Sequence, residues 1–335
     1  MNKTKLLPST LAVMLLAALI PTAAYAHVKW FTGVEPEKEA ITGILSPLFM
    51  SLAVGVAILL AVLTQVLPAL SNWKASKRID ASLDRLHPYT GIILQYGTAA
   101  ALLIQAFSNS VFAPEFEIAS TTETILLWAS IVLLLVPHRY AVRGGALVML
   151  ALFVIVTIRT GWFHMLDYGF YVAIIGVLLL DKTRESRLGF PLLYLGTGLS
   201  LCWVAVEKWV FPTMAEDIIQ NHGVPTFGFA PTDFIVMAGF IEFVVGYLLV
   251  VGILNRLLSV VLTLIFISTT MLFGMTEFVG HLIIHIVLIL FIIEGVSFYK
   301  PPVAIHQTRI DQMVFVSLNF IFVLATFLLI YYRFA

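Results

Sequence analysis

Charged residues are scarce in this chain of 335 residues. Only 19 are Lys or Arg and 19 are Asp or Glu, which together make up 11% of the sequence. A soluble domain carries about 25% charged residues, so a soluble enzyme is excluded. The two signs balance, and the basic excess of a nucleic-acid-binding protein is missing. The single cysteine, Cys202, excludes a disulfide framework and a cysteine-based metal cluster.

Apolar residues are abundant instead, at 60% of the chain. A membrane-spanning helix needs about 20 consecutive apolar residues, and long apolar runs recur along the sequence. They predict an all-α polytopic membrane protein with about ten transmembrane helices that lie in the lipid bilayer. The predicted spans are residues 42–67, 89–112, 122–137, 141–160, 163–180, 192–211, 232–253, 257–275, 277–296 and 312–333.

The first 26 residues have the pattern of a signal peptide. Lys3 and Lys5 precede a short apolar stretch, and the small residues Ala24 and Ala26 flank Tyr25 as in a cleavage site. We expect cleavage after Ala26, which leaves the following histidine as the first residue of the mature protein. The alternative is an uncleaved membrane anchor.

The distribution of basic residues gives the orientation of the helices. If the mature N-terminus lies outside, twelve Lys and Arg residues fall in inner loops and five fall on the outer side. This bias follows the positive-inside rule. The sequence therefore predicts a multi-pass protein of the bacterial cytoplasmic (inner) membrane with a periplasmic mature N-terminus. Trp30 and Phe31 lie near the predicted outer face, where an aromatic belt is expected.

A weak internal similarity predicts two tandem four-helix units with the same orientation. Gly97 and Thr98 match Gly196 and Thr197 in position within their helices. The predicted organisation is a signal peptide (1–26), a periplasmic segment (27–41), a first helix with its cytoplasmic loop (42–88), a first and degenerate unit (89–190), a second unit (191–300), and a cytoplasmic loop with the last helix (301–335).

Ionisable residues inside the predicted spans are the candidate functional residues. Each costs about 2.5–3.5 kcal/mol on insertion scales, so it needs a partner or a role. The second unit holds an unusual set, namely Glu207, Lys208, Glu242, Glu277, His281 and His285. The last three are spaced four residues apart and share one helix face. The rise of ~1.5 Å per residue places Glu242 at the depth of His285, and Glu207 at the depth of His281.

Three uses fit this set of residues. His281 and His285 can share a transition metal, iron or copper, whose coordination Glu242 completes. The Glu and His side chains can instead bind the head group of a quinone or pass protons along a path. The third use is structural, because opposite charges neutralise each other and fix the register of the helices. The first unit has a smaller cluster of His164 and Asp167 beside Arg159.

His27 is a separate candidate for metal binding. After cleavage, its α-amino group and imidazole can chelate copper through two nitrogens. The alternative is that the residue after the signal peptide has no role in binding.

Three stretches of the second unit carry a recognisable pattern: residues 198–212, which end with Glu207 and Lys208 before Pro212; residues 241–256, with Glu242 and Arg256; and residues 280–290, which begin with Gly280 and His281. Through them, residues 192–296 resemble the DoxX family of small four-helix membrane proteins. The resemblance implies a four-helix bundle in the cytoplasmic membrane. It also implies a link to thiosulfate:quinone oxidoreduction, the activity associated with the DoxD relatives.

The leading hypothesis is a periplasm-facing redox site in the second unit, as in a quinone-linked membrane oxidoreductase. Its cofactor is a transition metal or a quinone, and its partners are quinone and a periplasmic redox protein. The predicted catalytic residues are Glu242, His285, Glu207 and Lys208; the cofactor-binding residues are Glu277, His281 and His285; the metal ligands are His281, His285, Glu242 and His27. The rival hypotheses are a proton-coupled transporter or channel for a small solute or metal ion, and a non-catalytic assembly partner.

Overall fold

The computed structural model describes residues 28–70, 74–295 and 308–335. The predicted signal peptide and His27 lie outside the described residues. Twelve helices of ten or more residues form this part of the chain: α1 (Pro47–Leu70), α2 (Lys74–Leu83), α3 (Thr90–Phe107), α4 (Thr121–Leu135), α5 (Arg139–Thr160), α6 (Gly169–Leu180), α7 (Gly189–Val210), α8 (Pro212–His222), α9 (Pro231–Val251), α10 (Asn255–Phe273), α11 (Met275–Glu294) and α12 (Arg309–Phe334).

The predicted all-α polytopic membrane fold is confirmed. Nine helical segments of the described chain are long and apolar enough to cross a membrane, and each corresponds to a predicted span. The remaining predicted span corresponds to α4, which is apolar but has only 15 residues. Short elements connect the long helices, namely single α-turns at Ile41–Ile44 and Trp162–Met165 and 3-10 helices at Val28–Trp30, Asp84–Tyr89, Leu166–Tyr168 and Ser186–Leu188.

A β-hairpin ends the second predicted span earlier than expected. Strand β1 (Ser110–Val111) pairs antiparallel with β2 (Ala113–Glu117), and the turn residue Phe112 has a φ of 65°. The Gln105 side chain holds this turn, because its Oε1 accepts from Phe112 N at 3.0 Å and its Nε2 donates to Phe112 O at 3.2 Å. Helix α3 therefore stops at Phe107, and β2 lies against the end of the bundle.

The bundle has two ends, which we name after a charged residue at each. At the Lys29 end, the N-terminal segment (residues 28–40) lies across the helix ends, and Glu39 N–H donates to Val210 O at 2.9 Å. At the Arg256 end, the loops 136–138, 181–188 and 252–254 connect the helices. There Arg143 donates to Asp181 O at 2.9 Å.

Helices α7 and α9 approach each other closely at two glycines. A Cβ added at Gly198 would lie 2.5 Å from Gly246 O, and one added at Gly246 would lie 2.6 Å from Gly198 O. Small residues permit such close contact between helices in a membrane. Helix α7 also packs against α6 and α12, and α3 packs against α4 and α11. The predicted first and second units are thus in contact through α6 with α7 and through α3 with α11.

The chain is irregular just before α6, where the sequence predicted one continuous span. It turns at Gly161, which has a φ of 94°, and then forms the single turn Trp162–Met165 and the 3-10 helix Leu166–Tyr168. This conformation places Asp167 and Tyr168 inside the bundle, at 2% and 1% exposure.

Candidate functional site

A cavity of about 60 Å³ lies inside the bundle toward the Lys29 end. Its polar wall includes Asp167, Glu242, His281 and Thr197, which come from the chain before α6 and from α9, α11 and α7. Aromatic side chains, among them Phe266 of α10, form much of the remaining wall. A cavity of this size with a few polar groups in its wall has room for a few water molecules.

Lys29 inserts its ammonium group between two buried carboxylates. Its Nζ lies 2.5 Å from Asp167 Oδ2 and 2.8 Å from Glu207 Oε1, and both carboxylate side chains are at most 1% exposed. Burial alone would lower the pKa of Lys29, but the negative charges of Asp167 and Glu207 outweigh it and raise the pKa above its usual range. Lys29 therefore remains charged at physiological pH and neutralises one of the two carboxylates.

Trp30 packs inside the bundle and not in the predicted aromatic belt. Its Nε1 donates to the Tyr168 hydroxyl at 2.9 Å, and its ring centroid lies 4.9 Å from that of His281. A Cβ added at Gly280 would lie 2.0 Å from the Trp30 ring. The missing side chain at Gly280 therefore creates the space that the indole occupies.

Two further pairs join the predicted site residues of the second unit. Lys208 Nζ lies 2.6 Å from Glu242 Oε2, with side-chain exposures of 0% and 11%. His281 Nδ1 lies 2.9 Å from Glu277 Oε1 one helical turn away. The His281 ring also stacks on Phe266, with a centroid separation of 4.5 Å. Glu242 and His281 thus line the same cavity, each with a partner of its own.

The predicted metal ligands are not brought together. Among residues 28–70, 74–295 and 308–335, no group of three or more His, Cys, Asp or Glu side chains is placed to hold a metal ion. His281 is paired with Glu277 and Glu242 with a lysine, whereas His285 lies against Phe266 at 6.0 Å and does not line the cavity. The fourth predicted ligand, His27, lies outside the described residues.

A hydrogen-bonded network leads from the cavity wall toward the surface. Tyr168, which lines the cavity, donates from its hydroxyl to Glu115 Oε1, and His164 Nε2 lies 3.0 Å from the same oxygen. Burial alone would raise the pKa of Glu115, but the hydrogen bond and charge of His164 and the hydroxyl of Tyr168 outweigh it and lower the pKa. His164 is 30% exposed, so the network reaches the outer surface of the bundle. Arg159 is not part of it, and lies 3.7 Å from Glu123.

Several buried polar atoms of the described chain lack a hydrogen-bond partner. They include Asp167 Oδ1 and Thr197 Oγ1, which belong to side chains of the cavity wall, and Trp203 Nε1. A buried polar group without a partner is unfavourable by about 1–3 kcal/mol. These atoms are closed off from the cavity as well as from solvent, so their missing hydrogen bonds are a cost of the packing around the cavity.

Sequence reasoning missed the contributions of Lys29, Trp30, Tyr168 and Glu115, and placed Asp167 in a separate cluster. The contacts join residues far apart in the chain, such as Lys29 and Asp167 at a separation of 138 residues. The spacing of residues within one helix does not indicate which distant residues will pair with them. The available signal was the position of Asp167 inside an apolar run, where an ionisable residue needs a partner.

Comparisons with protein-family models, with curated proteins and with solved structures find no match to this chain. The resemblance of residues 192–296 to the DoxX family therefore stays a prediction.

Proposed function

We propose that this protein is a quinone-linked protein of the bacterial inner membrane, and that its cavity exchanges protons with a quinone head group near the periplasmic side. The observation that carries the proposal is the composition of the cavity wall. Asp167, Glu242 and His281, three side chains that can gain or lose a proton, meet inside an apolar bundle. Intramembrane ionisable residues commonly belong to proton relays and ligand sites.

The charge balance of the cluster supports proton exchange. Three buried carboxylates, those of Asp167, Glu207 and Glu242, lie against two ammonium groups, those of Lys29 and Lys208. One negative charge thus exceeds the lysines. An uncompensated buried charge is strongly unfavourable, so the cluster tends to hold an additional proton. A proton held in this way is available for transfer.

The cavity residues can supply and take up the protons of a quinone. A quinone accepts two electrons and two protons, so its oxygens alternate between hydrogen-bond acceptors and hydroxyl donors. Asp167, Glu242 and His281 of the cavity wall can exchange these protons through water in the cavity. The volume of about 60 Å³ is smaller than the ~150 Å³ cavity that holds benzene. The cavity therefore suits water and protons, with the quinone ring beside it.

Each residue of the site has a role in this proposal. Asp167 holds or releases the proton, and Lys29 favours its ionised form. Glu242 and His281 line the same cavity and are available as further proton carriers. Tyr168, Glu115 and the partly exposed His164 connect the cavity wall to the surface. A periplasmic redox protein is the partner that would exchange electrons with the quinone. The resemblance to the DoxX family adds support to this assignment.

The test is infrared difference spectroscopy of the protein in nanodiscs while a decyl-tailed benzoquinone is reduced electrochemically. We expect a carboxyl C=O band that changes with the redox state of the quinone, because a buried carboxyl changes its protonation. The band disappears in Asp167→Asn and persists in the matched control Glu216→Gln, whose side chain is not part of the cavity wall. Identical spectra for wild type and Asp167→Asn would contradict the proposal, as would quinone signals equal to those of empty nanodiscs.

Proton-coupled transport is the second candidate function. The observation that favours it is the network of Tyr168, Glu115 and His164, because a proton path needs a connection from the interior to one surface. In proteoliposomes, this candidate predicts a pH-gradient-driven flux that is abolished in Glu242→Gln. A quinone-linked protein shows no such flux.

A further inference from the structure

Helix α2 is a short helix at the Arg256 end, and it connects the spanning helices α1 and α3. It begins a helical segment that is too long to cross the membrane as a whole. This segment, Lys77–Phe107, has 31 residues, whereas about 20 residues cross the hydrocarbon core. Helix α3 alone supplies 18 of them. Helix α2 therefore lies outside the hydrocarbon core, at the level of the lipid head groups or beyond them.

Two ion pairs hold this part of the chain against the end of α11. Asp80 pairs with Arg256, whose guanidinium donates to Ile293 O at 2.9 Å. His87 pairs with Glu294. Seven residues of helix cover about 10 Å at ~1.5 Å per residue, yet both side chains are held at the last turn of α11. The chain between Asp80 and His87 therefore runs across the end of α11 and not straight away from the membrane.

Helix α2 has one basic face and one apolar face. Lys74, Lys77 and Arg78 are all exposed, and their spacing of three and four residues places them on the same face. Ile79 and Leu83 are four residues apart and share another face. Ile79 is 50% exposed and Leu83 is half-buried. At 3.6 residues per turn, the two faces lie on nearly opposite sides of the helix.

The 3-10 helix that follows α2 has the same composition. Leu86 is 43% exposed, and Arg85 is exposed beside it. Residues 74–89 contain four Lys and Arg residues against two Asp residues, and one of the two, Asp80, is neutralised by Arg256. The exposed surface is therefore basic. Exposed apolar residues on one face and basic residues on the other are typical of helices that lie in a membrane interface.

We propose that α2 lies in the interface of the bilayer leaflet at the Arg256 end and that its basic face binds the head groups of anionic phospholipids. Ile79 and Leu83 contact the acyl chains, while the ammonium and guanidinium groups attract the lipid phosphates. Lipid is the partner that this position favours, because the ion pairs of Asp80 and His87 hold the helix beside spanning helices. The inference is independent of the proposed function, whose cavity lies toward the other end of the bundle.

Spin labels on the full chain test the position of α2. Ile79→Cys and Ala81→Cys, each in a Cys202→Ala background, carry one nitroxide in nanodiscs that contain phosphatidylglycerol. Ala81 is the matched control, because it is exposed on the same helix and shares the face of Lys77. We expect the label at 79 to be more accessible to oxygen, which dissolves among acyl chains, and the label at 81 to a water-soluble nickel chelate. Equal access of the chelate to both labels would overturn the inference.

A photoreactive lipid tests the partner. Phosphatidylglycerol or phosphatidylcholine carries a diazirine next to its head group, and peptide mass spectrometry locates the label after illumination. We expect phosphatidylglycerol to label residues 74–89 more strongly than phosphatidylcholine does. Lys74→Ala/Lys77→Ala/Arg78→Ala should reduce this excess about fivefold or more, because one basic residue near an anionic surface already contributes about that factor.

The matched control removes three exposed basic side chains from the loop 181–188 at the same end, in Lys182→Ala/Arg184→Ala/Arg187→Ala. The excess on residues 74–89 should persist in this variant. An equal loss in both variants would overturn the assignment to α2, since any positive charge at this end would then suffice. Equal labelling by the two lipids would overturn the preference for anionic head groups. Free access of the nickel chelate to both spin labels, without any lipid label on residues 74–89, would indicate a surface for a soluble partner and overturn the inference.

Discussion

The two ends of the bundle use buried charge in different ways. At the Lys29 end, Lys208 and Glu242 pair at 0% and 11% side-chain exposure beside a cavity. At the Arg256 end, His87 and Glu294 pair at 52% and 26% exposure, on the edge of the bundle. The Lys29 end therefore keeps ion pairs among the spanning helices, whereas the Arg256 end keeps this pair where water reaches it.

Arg256 itself shows what a structural charge looks like in this protein. Its guanidinium donates to Ile292 O at 2.5 Å and to Ile293 O at 2.9 Å, and it pairs with Asp80. These carbonyls belong to the last turn of α11, where a cation satisfies free acceptors and favours the helix dipole. A buried charge next to a helix terminus thus has a complete structural explanation. Glu242 has no such explanation, because it lies in the middle of α9 and away from any helix terminus.

The largest expected effect comes from breaking one ion pair at each end. Lys208→Met leaves Glu242 buried without its cation, so we expect the free energy of unfolding to fall by about 3–5 kcal/mol. His87→Ala removes a partly exposed pair, and the expected loss is below about 1 kcal/mol. Unfolding in mixed micelles by SDS titration measures both. Lys208→Met/Glu242→Gln should recover part of the loss, and equal losses at the two ends would refute the distinction between them.

Replacing one glycine at each end by alanine compares the packing of the two ends, and we expect a smaller change in stability than for the ion pairs. In Gly280→Ala the new Cβ would lie 2.0 Å from the Trp30 ring, so overpacking should destabilise the protein by about 1–3 kcal/mol. Gly91→Ala at the Arg256 end meets its nearest atom, Asp181 Oδ1, at 3.4 Å, and should be neutral or stabilising. The same SDS titration compares them. The Gly280→Ala penalty should disappear in a Trp30→Ala background; a penalty that persists there would show that the indole is not its cause.

The smallest expected effect is a pH dependence of stability at Asp217, which contacts the N-terminal segment at the Lys29 end. Hydrogen bonds from Gly33 N–H, Thr32 and Asn221 hold the pKa of Asp217 below its usual range. Because the folded pKa is lowered, the stabilisation is complete above the unfolded value of about 3.9 and is lost as the pH falls through the folded pKa. Asp217→Asn should therefore be less stable than wild type near pH 7, with a difference that vanishes in strong acid. A difference that is independent of pH would exclude this cause.

The spanning helices could be predicted from the sequence, because length and hydropathy are local properties of a chain. The hairpin at β1 and β2 could not, since it depends on Gln105 and on Tyr171, which donates to Phe112 O at 2.8 Å from another helix. For the site, the rise per residue predicted that Glu242 lies at the depth of His285, but Glu242 lines the cavity together with His281, and His285 does not. His281 and His285 share one face of α11, and helix packing, which no local pattern reports, sets which of the two meets the cavity.

The position of Lys29 and Trp30 has a consequence for synthesis of the protein. Trp30 packs against His281, a residue made 251 positions later. At about 5–20 residues per second, roughly 10 to 50 s pass between the two. Until α11 has entered the membrane, Trp30 of the N-terminal segment lacks its contact with His281. The segment therefore cannot complete its packing while the helices assemble. The first described residues of the chain are thus among the last to reach their native contacts.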